Sequence, residues 1–98
     1  MTPGSPDCLA VIPHPLPDHG QAWLPVPKGA AFMFVKKRFG VLTLWSLQRE
    51  TVATSPRAFL VTDDEFAVVP AGAVYIDTVL TDGGSYVRHI FEITECLP

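Results

Sequence analysis

AVYIDTVLTDGGSYVRHIFEI, residues 73–93, decides the fold: two runs of alternating side chains meet at Asp82-Gly83-Gly84 and read as a β-hairpin. Before the turn, Val74, Ile76, Thr78 and Leu80 alternate with Tyr75, Asp77, Val79 and Thr81; after it, Val87, His89, Phe91 and Ile93 alternate with Tyr86, Arg88, Ile90 and Glu92. A turn centred on Asp82-Gly83 pairs Ile76 with His89, and one centred on Gly83-Gly84 pairs Ile76 with Phe91. Both keep the greasier set of each arm on one face, whereas a loop one residue longer or shorter separates them. That greasier face, His89 included, is assigned to the core, with the His89 ring hydrogen-bonded to Thr78 or to a backbone carbonyl. The opposite face, Tyr75, Val79, Tyr86, Arg88 and Ile90, is too apolar to be simply wetted: either another piece of the chain covers it or it is an interface, and it is the surface expected to contact a partner or a ligand.

Upstream of the hairpin the chain keeps to short extended runs. Residues 1–27 hold seven of the ten prolines, two acids (Asp7 and Asp18) and no lysine or arginine. Proline removes a backbone donor and forces the preceding residue into extended geometry, so no helix forms there. Residues 1–7 are expected to be flexible, residues 8–12 (CLAVI) to form a short edge strand ended by Pro13, and residues 17–20 (PDHG) to turn. Residues 21–26 resume extended, and Lys28-Gly29 turns again. Residues 30–36 and 39–48 then form strands around a tip at Lys37-Arg38. In the second of these, Leu42, Leu44 and Ser46 face one way and Val41, Thr43, Trp45 and Leu47 the other, which marks a central strand. Residues 57–62 (RAFLVT) form another strand, and residues 66–72, broken by Pro70, a short strand or packed loop. No segment keeps a helical i, i+3, i+4, i+7 spacing. The expectation is one all-β domain over residues 1–98, an antiparallel sandwich, roll or small barrel of about six strands.

Ninety-eight residues bury roughly 65% of their unfolded surface, enough to fold without metals or disulfides. The chain is 48% apolar and 17% charged, below the roughly 25% charged of an average domain, which points to self-association. A net charge of -3 argues against nucleic-acid binding. Nowhere do 18 apolar residues run together and no signal peptide is visible, so a cytoplasmic protein without a membrane role is expected. Cys8 and Cys96, near opposite ends, read as reduced thiols.

LPVPKGA (24–30), Leu44-Trp45-Ser46-Leu47, Arg57-Ala58-Phe59, and Tyr75-Ile76-x-Thr78 followed by Gly83-Gly84 and Val87-x-His89-Ile90-Phe91-Glu92 resemble, in that order, a family of short uncharacterised phage and prophage proteins over residues 9–93. Where that family continues its middle strand with threonine-glycine-histidine, this chain has Thr62-Asp63-Asp64. The resemblance implies a viral or mobile-element origin and a cytoplasmic accessory role, and it brings no activity.

No residue set assembles a catalytic centre. His89 lacks a nucleophile beside it, since both cysteines are terminal and no serine sits in a nucleophile elbow. Cys8, His14, Asp18 and His19 match no zinc spacing and read as parts of a solvated loop rather than as a metal site. Asp82-Gly83-Gly84-Ser85 lacks the lysine of a phosphate loop and is a plain turn; Asp77 and Arg88, opposite each other in one register, read as a cross-strand ion pair. Lys36, Lys37 and Arg38 are the candidate anion contacts. The expectation is a non-catalytic, cofactor-free binding protein of phage or prophage origin that modulates or counteracts a host process, host defence included. It would contact a host protein or itself as a homo-oligomer. The alternative is an oligomer that binds or sequesters a nucleotide-like small molecule, with aromatics stacking the base and Arg88 or the Lys36 to Arg38 cluster holding phosphate.

Overall fold

The computed structural model describes residues 8–49, 53–63, 65 and 67–94. Seven antiparallel strands form two sheets: β1 (Leu9–Pro15), β2 (Gly20–Val26), β3 (Ala31–Arg38), β4 (Val41–Arg49), β5 (Ser55–Thr62), β6 (Val74–Thr81) and β7 (Tyr86–Ile93). The orders are β1-β4-β3 and β2-β5-β7-β6. The expected flexible stretch 1–7 and the thiol of Cys96 fall outside the described residues; β1 and β7 lie in different sheets.

The layers are joined by one apolar core. Leu42 and Leu44 of β4 and Val35 of β3 meet Leu24 and Val26 of β2, Phe59 and Val61 of β5, Val79 of β6 and Ile90 of β7. The Phe32 ring meets Phe59 edge-on, with centroids 5.4 Å apart. With strand side chains alternating, these contacts fix which residues point outward. As the two-faced pattern of residues 41–47 required, β4 is the central strand of its sheet. A smaller cluster, Ala58, Leu60 and Ile93 with Val69 and Ala73, sits behind the four-stranded sheet. Residues 67–73 are therefore a packed loop rather than a strand.

Local chemistry explains the connections and two departures from the sequence reading. Turns at Asp18-His19 and Lys28-Gly29 carry the chain from one sheet to the other. The tip of β3–β4 is Phe39-Gly40, with φ of 52° and 80°, and not Lys37-Arg38. Two consecutive left-handed residues make the primed turn whose twist suits a two-residue hairpin, and Gly40 meets that need without strain. Pro13 does not end β1, because the Leu16 N–H donates to the Leu42 carbonyl at 2.8 Å. That bond sets the parity of the ladder, so the nitrogens of Pro13 and Pro15 face outward along an edge where no donor is required.

The closing hairpin adopts the Gly83-Gly84 register, with Thr78 opposite His89 and Leu80 opposite Val87, but the pairing shifts between Tyr75 and Asp77. Its faces are the reverse of the expectation: Val79 and Ile90 are in the core, whereas Leu80 is 66% exposed. The charged residues of the inward face find partners far along the chain. Asp77 Oδ2 accepts the Val35 N–H at 2.9 Å and Asp77 Oδ1 the Thr78 N–H at 2.8 Å. Glu92 takes both ends of the Arg57 fork at 2.6 and 2.7 Å. Burying a charge is costly only when it lacks such partners, so this face, carrying three charged residues, becomes the inner one.

Candidate functional site

At one end of the sandwich the Pro17 to Gly20 turn is clamped onto β7. The Tyr86 hydroxyl donates to Asp18 Oδ1 at 2.7 Å, and Arg88 donates from Nε to the Asp18 carbonyl at 2.8 Å and from Nη2 to Asp18 Oδ2 at 3.1 Å. Arg88 Nη1 lies 3.7 Å from Asp63, which also meets His19 at 3.3 Å. The Lys37 ammonium sits 3.8 Å and the Arg88 guanidinium 4.5 Å from the Tyr86 ring centroid. Hydrogen bonds from Tyr86 and Arg88 hold the Asp18 carboxyl below its usual range. Burial, then the bond to Asp18, pushes the Tyr86 phenol up to about 12. Both shifts favour the ionised Asp18 and the protonated Tyr86, the pair of states in which the clamp is closed.

Of the residues proposed for contact, the fold brings Tyr86, Arg88 and Lys37 together in this clamp. Val79 and Ile90 are core residues and present no surface. Tyr75 is exposed, but on the opposite face, where the register shift places it; its hydroxyl is 2.7 Å from Thr78 Oγ1 and its ring is edge-on to Phe91. Lys36 and Arg38, one residue either side of Lys37, point from the outer face of β3, so the three bases do not form one anion site. Arg88 meets Asp18 and Asp63 rather than Asp77, because it pairs with Val79.

The histidines differ from expectation in place more than in partner. His89 Nδ1 lies 2.9 Å from Thr78 Oγ1, the bond foreseen, but the ring is half-buried on the outer face of the four-stranded sheet rather than in the core. His14 is not on a solvated loop: it is buried in β1, with Nε2 2.9 Å from Ser46 Oγ. The Ser46 hydroxyl donates to Gln48 Oε1 at 2.9 Å, so the His14 Nε2–H is the donor in that pair. Ser46 is completely buried with its proton so engaged. His14, Asp18 and His19 each engage a different partner, and among the described residues no group of three His, Cys, Asp or Glu is placed to hold a metal.

Both outer sheet faces are apolar. On the three-stranded sheet β1 contributes Leu9, Val11, Pro13 and Pro15, while β4 contributes Val41, Thr43, Trp45 and Leu47. Phe34 of β3 stacks on Trp45, with centroids 5.0 Å apart. A groove of about 310 Å³ runs between Pro13, Pro15, Arg38, Phe39, Val41 and Thr43. Phe39, at the hairpin tip, is 93% exposed although it holds a left-handed backbone. An exposed aromatic at such a position is the surface feature the sequence reading missed; a Phe-Gly pair between two strands was its signal. On the four-stranded sheet Trp23, Tyr75 and Leu80 are 58%, 57% and 66% exposed.

Residues 10–96 match a family described as a domain of unknown function (DUF7352). No curated protein and no solved structure matches the chain.

Proposed function

The chain belongs to the DUF7352 family, and from the way its two sheets are finished we propose that it is a non-catalytic binding protein of phage or prophage origin that acts on a host process, host defence included, by protein–protein contact through its sheet faces. The carrying observation is the contrast between closed edges and open faces. Among the described strands, β1 is closed to further pairing by Pro13 and Pro15 and β2 by Pro25. The β3 edge is broken at Met33, and its Val35 N–H is taken by Asp77; the β6 edge is broken at Ile76. Such devices prevent edge-to-edge pairing, so a partner has to be met face-on. Large exposed apolar faces with aromatic anchors are what such meetings use. The origin is supported by the ordered motifs that resemble phage and prophage proteins, and a cytoplasmic location goes with it.

The nucleotide-like alternative has less support. The Tyr86 ring is flanked by Lys37 and Arg88, and Arg88 already engages two carboxylates, so stacking and phosphate contacts do not meet in one open pocket. Position-specific photo-crosslinking in infected host cells tests the proposal, with the reactive group placed at Val11, at Leu80, or at Val68 in the exposed loop. Adducts to one host protein from Val11 or Leu80 and none from Val68 are expected; absence of adducts from both faces overturns it.

A further inference from the structure

Building on that function, we infer that the outer face of the three-stranded sheet docks an acidic, aromatic- or aliphatic-bearing protein segment, with an apolar side chain in the groove beside Phe39 and its carboxylates on Lys36 and Arg38. Charge complementarity selects this occupant. The chain has a net charge of -3, yet β1, β3 and β4 carry Lys36, Lys37, Arg38 and Arg49 and no Asp or Glu. Lys37 turns inward to Tyr86, which leaves Lys36 and Arg38 as the cations on the outer side of β3 beside the groove. Each stands over an aromatic ring, Lys36 at 5.3 Å from the Phe34 centroid and Arg38 at 5.4 Å from that of Phe39. Held over rings, these cations are already partly ordered, so less side-chain entropy is lost when a carboxylate arrives.

The other occupants fit less well. In a second copy docked on the same face, two cations from each copy would be buried without an acid between them, a like-charge arrangement that disfavours association. An anionic membrane is flat, whereas the groove of about 310 Å³ takes one or two side chains, and lipid-binding surfaces cluster about four to eight bases. Three outer cations, Lys36, Arg38 and Arg49, on a chain of net charge -3 are too few for a nucleic-acid footprint. The closed β1 and β3 edges leave the face itself as the contact.

Selection of random displayed 15-residue peptides on the full chain tests this, in parallel with the Lys36→Glu/Arg38→Glu double variant and with Val68→Glu in the exposed loop. Circular dichroism and thermal melts verify folding, and Lys36→Gln/Arg38→Gln replaces the reversed variant if it fails to fold. Selected peptides are expected to be rich in Asp and Glu around an aromatic or Leu, and to bind at least tenfold more weakly to the Lys36/Arg38 variant while binding Val68→Glu unchanged. The charge-reversed chain is expected to select Lys- and Arg-rich peptides instead. Peptides that map to this face without acidic enrichment, or that ignore the variant, overturn the inference and leave the binding function standing. If no peptide is enriched and only phosphatidylserine vesicles bind, both fail.

Discussion

Arg57 shows at the scale of single residues how this fold tolerates charge. Its fork meets Glu92 at 2.6 and 2.7 Å, its third nitrogen donates to the Pro27 carbonyl at 2.7 Å, and its plane lies 4.9 Å from the Phe32 ring centroid. Removing one partner strands the other in a largely buried place, so Arg57→Ala is expected to cost about 2–4 kcal/mol in urea unfolding. Arg57→Lys should recover little, since an ammonium cannot reproduce the fork. Two residues set opposite limits of pH stability. Burial lowers the pKa of His14, so between its folded value and the unfolded value near 6.5 the unfolded chain binds more protons. Stability is thus expected to fall as pH drops below about 6.5, and His14→Gln should flatten that slope in chemical denaturation at pH 5 against pH 8. Tyr86 is raised to about 12, so the unfolded chain releases its proton first, and stability falls as pH climbs from about 10 through 12. Absorbance titration of the phenolates should show a step near 12 that Tyr86→Phe removes.

Elements were legible wherever neighbouring residues carry the signal. Pro17-Asp18-His19-Gly20 and Lys28-Gly29 are turns for local reasons, and both faces of β4 are greasy because it is central. The inward face of the β6–β7 hairpin was not legible, because the groups that let Asp77, Arg88 and Glu92 face inward come from Val35, Asp18 and Arg57, 42, 70 and 35 residues away. The hairpin tip was misplaced for a related reason: Phe39 is a poor turn former on its own account. At φ 52° it bears left-handed strain, and Asn tolerates that region better. Phe39→Asn is therefore expected to stabilise the fold by about 0.5–1 kcal/mol while weakening docking on the face beside it, a separation that melting and peptide binding measure together. Asp77 tests the edges. Asp77→Ala leaves the Val35 N–H without its acceptor and exposes the β3 edge, with an expected cost of about 1–3 kcal/mol and aggregation on warming, whereas Asp77→Asn keeps an acceptor and should do neither.

Taken as one molecule, the sandwich separates two kinds of apolar face. Among the described residues of its strands, the outer side of the three-stranded sheet carries cations and no carboxylate, whereas the exposed part of the four-stranded sheet presents Trp23, Tyr75, Thr78, Leu80 and Phe91 with no carboxylate, lysine or arginine among them. A face without net charge can meet its own copy across a two-fold axis with no like charges opposed, and the low charge content of the chain favours such burial. Self-association is accordingly expected through the four-stranded sheet, leaving the cationic face open to a partner. Contact across apolar surface should be nearly indifferent to ionic strength, because salt screens exposed charges rather than burial of rings and aliphatic chains. Sedimentation velocity over a concentration series should show a dimer that persists from 50 to 500 mM salt, and that Leu80→Glu, by placing a charge in each half of the contact, converts to monomer without lowering the melting temperature of the fold. A chain that stays monomeric at high concentration would overturn the self-association, and a dimer lost on Lys36→Glu/Arg38→Glu and not on Leu80→Glu would assign the two faces the other way round.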